Sequence, residues 1–96
     1  MVKTKYFLSE KDKRRMVVSN REKYDQIFMD CFMIDKSKLT EAFVYQCVPE
    51  WDSIGHMGMI ATIEEKFDIM METDDIIDFS SYIKGMEILS KYNIML

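Results

Sequence analysis

The sequence predicts an all-α fold: a small four-helix bundle, three longer helices and one short one, with a long loop between the first two. Three Gly and one Pro in 96 residues leave little turn chemistry for a multi-stranded sheet. Apolar residues recur at helical spacing in separate stretches. A residue fit to cap or open a helix stands at the start of each stretch. The length allows one domain, and a chain this short buries only about 60% of the surface its unfolded form exposes.

The first firm helix is expected over Arg21–Ile34 with Asn20 as its cap. Tyr24, Ile27, Phe28 and Cys31 there fall at i, i+3, i+4 and i+7. A long connection, Asp35 to Glu50, follows. Its patch Ala42-Phe43-Val44-Tyr45 is expected to pack back on the core, and Pro49 closes it by holding Val48 away from helical angles. The second helix should start at Ser53 and run to about Phe67. Asp52 is its cap, since a carboxylate can accept from the free N–H groups of the first turn. Trp51 precedes the cap, where an apolar side chain can cover that turn. A short third helix, Thr73–Asp78, opens at Thr73, with Asp74 and Asp75 favourable in its first turn. Ser80 or Ser81 caps the last helix, which reaches about Tyr92 and turns Tyr82, Met86 and Leu89 inward.

Charge divides the chain. Residues 1–19 carry six bases against two acids, and residues 20–96 carry seven against fifteen, within a net charge of −4. We therefore read 1–19 as a basic N-terminal extension, with a helical stretch over Ser9–Val18, and 20–96 as the helical domain. The acidic body repels phosphate backbones and attracts basic protein surfaces. The extension lacks aromatic interleaving beyond Tyr6-Phe7 and reads as a solvated terminal segment rather than a nucleic-acid arm. No apolar run approaches the ~18 residues of a membrane helix, and no signal peptide is recognisable, so a monomer in the cytoplasm, off the membrane, is expected. Cys31 and Cys47 form no Cys-x-x-Cys pair and there is one His, which argues against a zinc site.

The second helix is amphipathic twice over. On a wheel of 100° per residue, His56, Met59, Ile60, Ile63 and Phe67 share one face, the expected core side. Ile54, Met57 and Ala61 share the opposite one, flanked by Glu64 and Glu65. Scattered surface apolars are common, but this spacing beside acids suits docking to another protein.

The run Trp51-Asp52-Ser53-Ile54-Gly55-His56-Met57, continuing through Ile60-Ala61-Thr62-Ile63-Glu64-Glu65-Lys66-Phe67, resembles the acyl carrier protein family. That family has an Asp-Ser-Leu motif opening its second helix, then a hydrophobic stretch, a Glu-Glu pair and Phe. Phe67-Asp68-Ile69, Asp74-Asp75-Ile76 and Phe79-Ser80-Ser81 are also similar, so the likeness covers about residues 20–92 and leaves the extension out. Asp52-Ser53-Ile54 departs mildly at its third place. The resemblance implies that Ser53 is the attachment site of 4′-phosphopantetheine, moved there from coenzyme A by a phosphopantetheinyl transferase. The thiol of the arm would carry acyl groups as thioesters to acyl-loading and acyl-processing enzymes with basic docking surfaces. The chain would be a shuttle and not an enzyme. Asp52 would help position metal and hydroxyl in the transferase, and Ile54, Met57, Ala61, Glu64 and Glu65 would meet partners. A helix start tolerates a phosphodiester, because its free N–H groups and dipole favour negative charge.

Many carriers place acids where this chain has Gly55 and Gly58. Two glycines weaken a helix by ~1 kcal/mol each relative to Ala and remove two charges from the docking face. That suggests dedicated partners in a specialised pathway, with sequence drift as the plainer account. Ten methionines, among them Met57, Met59, Met70, Met71 and Met86, would make either a generic soft core or one that opens for an acyl chain. His56 is expected to be a half-buried packing residue. A hydrolase triad from Asp52, Ser53 and His56 is disfavoured, because two of the three are neighbours and no Gly-x-Ser-x-Gly elbow exists. The calcium-loop spacing is also absent. An unmodified acidic protein–protein interaction domain, or an aminoacyl or peptidyl carrier, is the alternative. Peptidyl carriers usually place glycines before the serine, where Trp51-Asp52 stands, which tilts the reading to an acyl cargo.

Overall fold

In the computed structural model, which describes residues 19–96, the first helix opens on Ser19. Its Oγ accepts from the Glu22 N–H at 3.1 Å, and the Glu22 carboxylate accepts from the Ser19 N–H at 3.1 Å. This reciprocal pair satisfies two donors that a helix start leaves free. Helix α1 therefore spans Asn20–Phe32, one residue ahead of the expected start. Asn20 lies inside it, and its side-chain amide donates to the Met95 carbonyl at 3.3 Å. The helix stops short of Ile34 because Met33 takes a left-handed conformation, φ 53°, while its N–H bonds the Met29 carbonyl. Of the expected stripe, Tyr24, Ile27 and Phe28 are buried and Cys31 is half-buried; Phe32 is buried as well. The rest of the basic extension, with its expected helical stretch over Ser9–Val18, lies outside the described residues.

The long loop has more structure than its sequence suggests. Asp35 caps a 3-10 turn, Lys36–Lys38, by accepting from the Ser37 N–H at 3.2 Å. Further on, the Tyr45 N–H donates to Ser80 O and the Tyr82 N–H donates to Phe43 O, both at 2.9 Å. This antiparallel bridge between Val44 and Ser81 stands alone; no named strand is present among the described residues. Extended backbone sends neighbouring side chains to opposite faces, so Phe43 enters the core while Val44 stays exposed. Only one member of the apolar patch thus packs fully inward.

The remaining helices are α2 (Ser53–Phe67), α3 (Thr73–Asp78) and α4 (Tyr82–Ser90). α2 runs antiparallel to α1: Lys23 sits over the Phe67 ring at 5.0 Å near one end, and Phe32 stacks on Trp51 at 4.9 Å near the other. Phe28 lies at the centre of an aromatic core, with Tyr24, Phe32, Phe43, Trp51, Phe79 and Tyr82 around it. Most of these pairs are tilted or edge-on, the arrangement the ring quadrupole favours.

Ser81 caps α4 by accepting from the Lys84 N–H at 2.9 Å. The helix ends at Ser90 rather than near Tyr92, and it turns Tyr82, Gly85, Ile88 and Leu89 inward; Met86 is only half-buried. Gly85 is required there, because a Cβ would overlap the Phe79 ring and the Tyr24 hydroxyl. Tyr24 OH donates to Tyr82 O at 2.6 Å, Tyr82 OH to the buried Asp25 carboxylate at 2.5 Å, and Arg21 Nε to Tyr82 OH at 3.0 Å. Burial, then the bond to Asp25, raises the Tyr82 phenol above its ordinary value, with Arg21 opposing.

α3 follows Glu72, which offers no side-chain cap; its N–H donates instead to Tyr92 OH at 2.9 Å. Thr73 is the first helical residue. Asp75 is buried and accepts from Lys91 Nζ and Tyr92 OH, each at 2.5 Å. The Lys91 bond, then the Tyr92 bond, holds its carboxyl below the usual carboxylate range. Asp75 is thus a clamp between α3 and the C-terminal turn, beyond the dipole role read from its position. Among the described residues, no helix is long and apolar enough to cross a membrane.

Candidate functional site

Helix α2 begins where the loop turns out of the aromatic core. Trp51 has no exposed surface at all, stacking on Phe32 and on Phe43 at 5.4 Å. It is an anchor of the whole loop, beyond the cover for one turn that its position suggested. The Asp52 carboxylate accepts from the Gly55 N–H at 2.8 Å, and the Asp52 carbonyl accepts from the His56 N–H at 2.8 Å. Asp52 therefore supplies the side-chain cap, and Ser53 does not. Ser53 is the first helical residue and is exposed, and its hydroxyl has no hydrogen-bond partner among the described residues. Ser19 and Ser81, also at helix starts, spend their hydroxyls on capping.

Gly55 has a structural reason. A Cβ there would run into the Glu50 carbonyl, while Gly58 faces open space. The absence of an acid at 55 thus follows from how tightly the loop folds over the helix start, and drift is not needed to explain it. At 58 a Cβ meets nothing within 4 Å.

The two faces of α2 fall where the wheel places them. Met59, Ile60 and Ile63 are buried, with His56 and Phe67 half-buried. Ile54 is 81% exposed, and Met57 and Ala61 are exposed beside it. Glu65 is exposed, but Glu64 is half-buried and accepts from the Met71 N–H at 2.9 Å. Glu64 therefore fastens the turn after α2 and leaves less charge free on that face than the sequence suggests.

His56 bridges two elements. Trp51 Nε1–H can only donate, and it meets Nδ1 of His56 at 3.0 Å. Nδ1 must then be the acceptor, so Nε2 carries the proton and donates to the Ile76 carbonyl at 2.8 Å. The ring also lies parallel to Trp51, with centroids 6.2 Å apart. With both nitrogens committed, His56 has no free lone pair to act as a base toward Ser53.

Beside Ser53 an open groove of about 310 Å³ runs between α2 and α3, lined by Tyr45, His56, Met57, Ile76, Ile77 and Phe79 with Ser53 and Ser80 at its polar edge. Its apolar lining was not legible from periodicity, since it joins residues from the loop, α2, α3 and the α3–α4 turn. Of the methionines near the site, Met59 and Met71 are buried, Met86 is half-buried, and Met57 and Met70 are exposed. Burial pushes the Cys31 thiol above its ordinary value, against a weak bond to Thr62, which disfavours a thiolate nucleophile. Among the described residues, no group of three metal-ligating side chains comes together.

Set against known proteins, the chain matches no family model, and neither a curated protein nor a solved structure matches it.

Proposed function

We propose that this chain is an acyl carrier protein that bears 4′-phosphopantetheine on Ser53 and presents acyl cargo to partner enzymes of a specialised pathway. The observation that carries the reading is the hydroxyl of Ser53: exposed, released from capping by Asp52, and set at the positive end of a 15-residue helix. A phosphodiester would fit there without displacing a protein hydrogen bond. Loading would form a bond from Ser53 Oγ to phosphorus and break the pyrophosphate of coenzyme A, releasing its adenosine bisphosphate half. The attached group would supply the thiol that holds an acyl chain as a thioester.

The chain's own residues do the rest. Asp52 holds the helix start in place and keeps one carboxylate oxygen toward solvent for a transferase metal. Ile54, Met57 and Ala61 offer an apolar surface that starts beside the attachment point and runs about two turns along the helix, where a partner can dock while reaching the arm. Glu65 adds the free charge that steers basic partners, while Glu64, tied to Met71, contributes mainly to the frame of that surface. Tethering keeps the cargo at high effective concentration for each docked enzyme.

The test is the intact mass of the full chain after incubation with coenzyme A and a broad-specificity transferase. Wild type should gain one arm and Ser53→Ala none; equal masses for the two would remove the reading. Gly58→Glu tests the dedicated-partner idea, since the site is open: loading by a housekeeping transferase should rise. Unchanged kinetics would remove its support.

A further inference from the structure

His56 is the one histidine of the chain and neither the capping of α2 nor the attachment of a group to Ser53 uses its ring. It nevertheless sits at the base of the groove, between the loop anchor and α3. The bond pattern assigns each nitrogen a fixed role: Nδ1 accepts from Trp51, and Nε2–H donates to Ile76. Only the neutral ring can do both. A proton added to Nδ1 would turn an N–H toward the indole N–H at 3.0 Å, placing two donors face to face with no acceptor between them. The Ile76 bond survives protonation and the Trp51 bond does not. Because Trp51 is wholly buried, its N–H has no ready access to water in exchange.

We propose that His56 is a proton-operated latch on the groove beside Ser53: neutral, it ties the loop anchor Trp51 to α3; protonated, it keeps its bond to α3 and lets go of Trp51, which frees the loop wall of the groove at Tyr45. The groups packed on the ring are Tyr45 from the loop, Trp51 before the cap, Phe79 after α3 and the Ile76 carbonyl of α3. Tyr45 carries the one ionisable side chain among them. The nearest acid in sequence, Asp52, turns its carboxylate to the Gly55 N–H and only its carbonyl toward the His56 backbone. On α3, Asp75 faces Lys91 and Tyr92. Among the described residues no salt bridge reaches the ring. The sign is fixed: the Trp51 bond is present at higher pH and is lost as pH falls through the imidazole titration. The consequence for function rests on the Ser53 reading above, since a shift of the Tyr45 wall changes how a group on Ser53 lies against Met57 and Ile77.

The experiment follows the full chain by NMR from about pH 7.5 to about pH 5.5, on either side of the ordinary imidazole value. The His56 ring, the Trp51 indole N–H, and the Met57 and Ile77 methyls should move with one shared midpoint. His56→Asn keeps an amide oxygen to accept from Trp51 but has nothing to titrate; it should fold and its methyl shifts should stay flat. The latch is overturned if the indole N–H and methyls ignore the His56 titration, or if they titrate equally in His56→Asn. For function, loading rates of wild type and His56→Asn are divided at each pH, which cancels the transferase's own pH dependence. A severalfold change in that ratio supports the functional link, and a flat ratio removes it. No loading of either protein at any pH would sink the Ser53 reading, while the NMR result still decides the latch.

Discussion

Helices α2 and α4 start from nearly the same chemistry and end up with opposite relations to solvent. Each has a cap with a side-chain oxygen, a hydroxyl residue at or next to the first position, and a glycine within the first turn or so. At α4 the serine is itself the cap, its hydroxyl consumed by the Lys84 N–H, and the next residue, Tyr82, is buried against Asp25. At α2 an aspartate does the capping, and the serine moves one place on, outward and unpartnered among the described residues. The glycines differ in what they admit. Gly85 lets two aromatic side chains from other elements close on α4, whereas Gly55 lets its own preceding loop close on α2. A serine at a helix start becomes a chemical handle only when another residue has taken over the cap.

Substitution at the two starts should separate these roles. Ser53→Ala is expected to abolish arm attachment completely while leaving the unfolding free energy from urea melts within about 0.5 kcal/mol of wild type, as for an exposed side chain with no role in packing. Ser81→Ala should retain attachment. A change in the Ser53→Ala midpoint as large as that of Ser81→Ala would mean that Ser53 also caps.

Gly55→Ala should cost about 1–3 kcal/mol by pressing a methyl into the Glu50 carbonyl, whereas Gly58→Ala should stabilise by up to about 1 kcal/mol through helix propensity. Denaturant melts of the pair give the contrast, and equal signs would contradict the loop geometry. Asp52→Ala and Ser81→Ala should each cost about 1 kcal/mol. Similar losses in both would show that the two caps are equivalent and that only the position of the free hydroxyl sets the helices apart.

The smallest expected difference lies in acid. Asp75 is held low by Lys91 and Tyr92. Its stabilisation is therefore complete above the ordinary carboxylate value, about 3.9, and is lost as pH falls through the lower folded one. Asp75→Asn should flatten that part of the stability curve in a pH series of melts, and an unchanged acid limb would show that the clamp is not coupled to folding.

Much of this was legible in the residues taken singly or in short runs. Asp52 before Ser53, and the wheel that sends Ile54, Met57 and Ala61 outward, follow from local rules of capping and a 3.6-residue period. The start and end of α2 and the span of α3 stand where those rules put them. The first helix starts one residue before Arg21 because Ser19 and Asn20 can both cap, and the cap falls to Ser19, which has Glu22 three residues on. Local rules place Glu64 beside the docking face, but nothing local shows that Met71 returns to meet it.

By itself, then, the sequence settled the helical class and the Asp52 cap that leads into Ser53, because these depend on neighbours within one or two turns. Only the tertiary structure decided why Gly55 must be glycine, that Val44 and Ser81 meet in a lone bridge, and that His56 joins Trp51 to Ile76. Each of these depends on backbone or side-chain atoms brought together by the path of a loop, and no periodicity encodes where a loop returns.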